Sequence, residues 1–88
     1  MERRQVLNGF AIVVADRGFV FVGNVEIVNE WCIISDCKNI RYWGTTAGLG
    51  ELAEKGPLER TKLDVYHTVR VPMNSVVCMI DSEGSKWR

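Results

Sequence analysis

The sequence predicts a mainly β domain with one short helix, folded as a small, strongly bent sheet or a partly closed barrel of the SH3-like or Sm-like kind. Three observations carry that expectation. Short runs of β-branched and aromatic side chains recur along the chain, separated by turn signals of two or three residues. Only one stretch has helical spacing. The 88 residues, 10.0 kDa in all, have room for a single core, so residues 1–88 are expected to form one domain.

Each element has its own justification. Residues 10–15 are apolar and β-branched, too short for an independent helix, and end at the turn signal Asp16-Arg17-Gly18. Residues 19–28 alternate, with Phe19, Phe21 and Gly23 on one face and Val20, Val22, Asn24, Glu26 and Val28 on the other. After Gly23 the apolar set changes face, because Val25 and Ile27 lie on the Phe19 side, so Gly23-Asn24 is expected to be a bulge or bend. Asn29-Glu30 turns the chain into a third strand at residues 31–35, and residues 39–43 read as a further short strand.

The period then changes. Ala47, Leu49, Leu52 and Ala53 fall on helical spacing, with Glu51, Glu54 and Lys55 opposite, and Gly56-Pro57 stops the helix. Gly48 and Gly50 each weaken it by roughly 1 kcal/mol relative to Ala, so it needs Leu49 and Leu52 docked on the sheet. Residues 58–68 are mixed in charge without a period and read as a surface loop. Residues 69–72 form a brief strand whose Pro72 marks an edge or an end. Residues 76–80 are apolar on both faces, as in a central strand or one covered by a partner. Residues 82–88 read as a polar tail.

Composition narrows the function. Eleven basic and eleven acidic residues cancel, which argues against nucleic-acid binding, since phosphate neutralisation needs a basic surface. No apolar run approaches the ~20 residues of a membrane helix, and no apolar stretch follows Met1-Glu2-Arg3-Arg4 as a secretory leader would require. Cys32, Cys37 and Cys78 are odd in number and lack a CxxC pair, so they are expected as reduced, packed thiols in a cytoplasmic protein. Cys32 and Cys37 would face opposite sides of a regular strand. A zinc site built from these with His67 lacks paired ligand spacing, and no metal or cofactor is expected. His67, the only histidine, has no serine or cysteine nucleophile beside it in sequence. Phosphate-loop and dinucleotide fingerprints are absent, so an enzyme is not expected.

The most informative stretch runs from Arg41 to Gly50. Arg41, Tyr42 and Trp43 put a cation and two rings at a strand end, and Gly44-Thr45-Thr46 leads into a helix N-terminus with free N–H groups. That assembly suits a small anionic ligand such as a nucleotide: Tyr42 or Trp43 to stack on a base, Arg41 with Thr45 and Thr46 to hold phosphate, and Lys62 and Arg70 to close the site. Against it, threonine before a helix is commonly a cap and tryptophan at a strand end is commonly packing. Phe19 and Phe21 form a candidate interface if their face is open, and Trp87 is either a packing residue or a clip onto a neighbouring protomer.

The segments Asp36-Cys37-Lys38-Asn39-Ile40-Arg41-Tyr42-Trp43-Gly44 and Gly48-Leu49-Gly50-Glu51-Leu52-Ala53-Glu54-Lys55-Gly56-Pro57 resemble a family of small, functionally unassigned proteins of tailed bacteriophages and prophages. The likeness covers roughly residues 20–81, which leaves residues 1–15 as an elaboration. The resemblance implies no catalytic residues and a viral accessory role in the bacterial cytoplasm. It favours a homo-oligomer that sequesters a nucleotide signal, for example a cyclic nucleotide, as an anti-defence protein. The alternatives are an inhibitor that grips a host defence protein, or a minor structural or nucleic-acid-binding phage protein.

Overall fold

Residues 9–87 are described by the computed structural model. In order come β1 (Gly9–Ala15), β2 (Val20–Val28), β3 (Trp31–Tyr42), the helix α1 (Leu49–Lys55), β4 (Lys62–Pro72) and β5 (Val76–Asp81). Single turns of 3-10 helix occupy Asp16–Gly18, Met73–Ser75 and Gly84–Trp87. The expectations for the extreme amino terminus, and Arg88, lie outside the described residues. All five strands pair antiparallel in one sheet, in the order β4-β3-β2-β1-β5.

The sheet is strongly bent and does not close. Pro72 aligns with Trp31 and so with Val28 at one end of β2, while Val76 pairs with Ala15 near the opposite end. In a flat sheet those two corners would lie more than about 30 Å apart. Yet only Met73–Ser75 joins them, a link that spans at most about 14 Å. The sheet must therefore coil until diagonal corners meet, and Met73 N–H fixes the junction by donating to the Glu30 carbonyl at 2.8 Å.

Coiling makes two cores. The inner one holds Val13, Phe21, Val25, Cys32, Ile34, Cys37 and Val71, with Met73, Val76 and Met79 at its margin. On the outer face, α1 lays Leu52 and Ala53 over Ile12, Val20, Val22 and Ile40, and Trp87 completes the layer. The helix ends as its sequence requires: Gly56 has φ of 84°, its N–H donates to the Leu52 carbonyl at 2.7 Å, and its Cα packs on the Lys86 backbone too tightly for a side chain.

Several expectations change. The 31–35 and 39–43 strands are one strand, β3, interrupted by a bulge at Asp36 (φ 48°). The register steps from Val22↔Lys38 to Asn24↔Ser35, so the extra residue sits on β3 opposite Gly23 rather than on β2. That extra residue restores parity, and Cys32 and Cys37 face the same core instead of opposite sides. Residues 62–68 belong to β4 and not to a loop: their polar composition is that of an edge strand with one wet side. β5 is an edge strand and not a central one. β1 hydrogen-bonds β2 on one side and β5 on the other. Trp87 is 4% exposed and fills its own chain's core, so it is not available to clip onto a neighbour.

Candidate ligand-binding site

The bulge in β3 has a counterpart in β4. Register steps at Cys37↔His67 and Lys38↔Val65, where His67 takes a φ of 67°, show the disturbance passing from strand to strand. Non-glycine residues at positive φ are uncommon, and bulges of this kind re-aim side chains next to functional sites. Here Asp36 and His67 both open onto a cavity of about 300 Å³, lined also by Phe10, Asn24, Cys37, Lys38, Val65, Gly84 and Trp87.

The sheet register assembles this cavity. Phe10 sits opposite Asn24 across β1 and β2, and Lys38 sits opposite Val65 across β3 and β4. The 3-10 turn at Gly84–Trp87 closes it from above, with Phe10 and Trp87 rings 6.3 Å apart. One wall is thus aromatic and the other carries an amide, a carboxylate, an ammonium and an imidazole. Among the described residues Lys38 has no carboxylate within ion-pair distance. Burial pushes the Cys37 thiol up to about 12, the Val22 backbone contact only partly opposing it, so at neutral pH this sulfur is a protonated thiol and a poor nucleophile.

The residues singled out in sequence are partly brought together. Arg41, Tyr42, Trp43, Thr45, Thr46 and Lys62 gather where β3 ends and β4 begins, with Lys62 beside Tyr42. Arg70 lies eight residues further along β4, opposite Ile33, and cannot close the same site. Tyr42 and Trp43 are exposed. Some of these groups, however, already have partners within the chain. Glu51 accepts from the N–H groups of Thr46 (3.3 Å) and Ala47 (3.2 Å), Thr45 Oγ1 accepts from Gly48 N–H (3.1 Å), and Arg41 Nε pairs with Asp64 at 3.0 Å. The Ala47 and Thr46 bonds, with Lys55 at 3.3 Å, hold the Glu51 carboxyl below its ordinary range. The carboxylate of Glu51 therefore takes up the two backbone N–H groups of Thr46 and Ala47.

The Phe19 and Phe21 pair divides. Phe21 is buried, while Phe19 is 48% exposed and stacks on it with centroids 5.8 Å apart and planes within 6°. Tyr66 lies 6.1 Å beyond Phe21. Beside them Arg70, Asp16, Val69 and Pro72 border a shallow depression of about 180 Å³. Arg70 thus belongs to this patch. Among the described residues no group of His, Cys, Asp and Glu could hold a metal, and no helix is long and apolar enough to cross a membrane.

Sequence reasoning missed Phe10, Asn24, Asp36, Lys38, Val65 and the wall role of Trp87. The one available signal was the face switch at Gly23-Asn24, which located the bend but not the cavity beside it. No protein-family model, curated protein or solved structure matches the chain.

Proposed function

We propose that this is a non-enzymatic binding protein whose cavity at the β3 bulge takes a small anionic ligand with a flat ring, of the mononucleotide class. The carrying observation is the cavity of about 300 Å³ with an aromatic wall on one side and Lys38, His67, Asp36 and Asn24 on the other. That volume lies at the lower end of the range for small-molecule sites, roughly 300–1,000 Å³. A ring packs against the half-buried Phe10, with Trp87 behind it, Lys38 pairs with phosphate, and Asp36 and Asn24 accept hydrogen bonds from amino or hydroxyl groups. The protonated Cys37 supports retention rather than covalent turnover. In the phage setting that the sequence resemblance implies, such a protein would hold a host nucleotide signal out of circulation.

Isothermal titration of linear and cyclic mononucleotides tests the reading against the native protein, Lys38→Ala, and the Arg41→Ala/Trp43→Ala double variant. Binding that Lys38→Ala weakens at least tenfold, and that the double variant retains, is the expected result. Heat absent across the whole panel, or loss confined to the double variant, would sink it.

A second reading has one specific observation in its favour. The depression beside Phe19 is too small for a nucleotide but sized for a single apolar side chain, so a partner protein could anchor there. Comparing proteins captured from host lysate by the native chain and by Phe19→Ala discriminates: a stoichiometric partner lost in the variant favours this class, and identical captures remove it.

A further inference from the structure

The cavity at the β3 bulge carries a negative charge of its own. Asp36 lines it together with Lys38 and His67, yet among the described residues no cation lies within ion-pair distance of the Asp36 carboxylate. An ionised carboxylate accepts hydrogen bonds and donates none. Beside a phosphate it repels, unless the ligand brings hydrogen-bond donors to it.

The sheet register places those donors. Across neighbouring strands the lining groups follow one direction: the Phe10 ring on β1, the Asn24 amide on β2, the Asp36 carboxylate and Lys38 ammonium on β3, and the His67 imidazole on β4. Strands lie about 4.8 Å apart, so the row covers about 14 Å along the sheet. A mononucleotide has the same order of chemistry, from flat ring through sugar to phosphate. With the ring on Phe10 and the phosphate on Lys38, the sugar lies over β2 and β3, beside Asn24 and Asp36. The base itself stays on the β1 side of Asn24, a strand away from the carboxylate.

We propose, on the reading of the cavity given above, that Asp36 selects ribose. Its two carboxylate oxygens accept hydrogen bonds from the adjacent 2′- and 3′-hydroxyls, so the ligand is a ribonucleotide and not a 2′-deoxyribonucleotide. A deoxyribose keeps one of the two donors and leaves the carboxylate only partly matched. Asp36 is exposed at the rim, where water substitutes in part for a missing partner. The lost bond to a charged acceptor is therefore set at the low end for such bonds, about tenfold in affinity.

The backbone allows the side chain to be changed without disturbing the bulge. Asp36 has a φ of 48°, which glycine and asparagine both adopt readily, so Asp36→Gly and Asp36→Asn should keep the native fold. The experiment is isothermal titration of adenosine, guanosine, cytidine and uridine 5′-monophosphates and their 2′-deoxy counterparts into the native chain and both variants. The native chain should bind each ribose form about tenfold tighter than its deoxy form. In Asp36→Gly the preference should vanish, and deoxy forms should bind no more weakly than to the native chain, because a repulsive charge is gone. Asp36→Asn keeps an acceptor oxygen without the charge and should lie between. Equal native affinity for ribose and deoxyribose forms, or a ribose preference that persists in Asp36→Gly, would overturn the role of Asp36 and leave the cavity reading standing. A native chain that binds none of these nucleotides would remove both.

Discussion

Trp87 donates its indole N–H to Ser82 Oγ at 2.9 Å, and Ser82 in turn donates to the Ala53 carbonyl of α1. Lys86 Nζ adds a bond to the Glu54 carbonyl at 2.6 Å. Residues 82–87 are therefore fastened to the helix, and through the Ser82 N–H to β1 as well. Truncating a buried tryptophan removes a large apolar surface and leaves a void, at about 3–5 kcal/mol. Trp87→Ala should lower the melting temperature by more than about 10 °C, since each kcal/mol shifts a domain of this size by roughly 4–8 °C. Thermal denaturation followed by circular dichroism checks this, and an unchanged midpoint would show the tail to be dispensable.

Gly23 faces the bulge so closely that a Cβ there would lie 2.7 Å from the Ser35 carbonyl oxygen and 2.8 Å from Ile34 Cγ2. Backbone cannot yield as a flexible side-chain end can. Gly23→Ala should cost about 1–3 kcal/mol, whereas Gly9→Ala, which meets nothing within 4 Å, should be near neutral. Chemical denaturation of the two variants side by side tests the contrast.

These two sites show what the residues declare and what they conceal. Hairpins, the helix with its Gly56 stop, and the bend at Gly23-Asn24 follow from local spacing and turn chemistry, and they were legible. β4 was not, because an edge strand with one solvated side carries Lys62, Asp64, His67 and Arg70 where a buried strand would alternate. Trp87 was not, because its burial is decided by α1 and β1 far away in sequence. The candidate cavity depends on Asp36 and His67 adopting positive φ, which neither residue type announces. The Arg41 to Thr46 segment had the right groups for an anion, but Glu51 and Asp64 supply the negative charge from within.

Glu51 gives a pH prediction. Its carboxyl is held below the ordinary range by the Ala47 N–H, then by Lys55 and the Thr46 N–H. A depressed carboxyl stabilises the fold above its unfolded value, about 4.3, and loses that contribution as pH falls through the folded value. Glu51→Gln should therefore melt at a lower temperature than the native chain at pH 7. The gap should narrow once the pH drops below about 4. A gap that stays constant from pH 7 to pH 3 would show that the charge of Glu51 does not contribute.

The thiols make a graded prediction. Cys78 is exposed, while Cys32 and Cys37 are buried and burial raises both their values. A thiol-reactive chromophore at pH 8 should label one cysteine quickly in the reduced native chain and all three only in denaturant. The sign for stability also follows: a raised thiol value favours folding below the unfolded value of 9.0 and loses that contribution as pH rises toward about 12. Stability of the native chain should thus fall more steeply above pH 9 than that of Cys37→Ala.

The most direct test of the binding account is amide and indole proton–nitrogen NMR of the native protein titrated with mononucleotides. The account predicts shifts concentrated at Phe10, Asn24, Asp36, Lys38, His67 and the Trp87 indole, saturating with one ligand per chain. Shifts confined to residues 41–47, or a spectrum unmoved by every nucleotide at millimolar concentration, would contradict it.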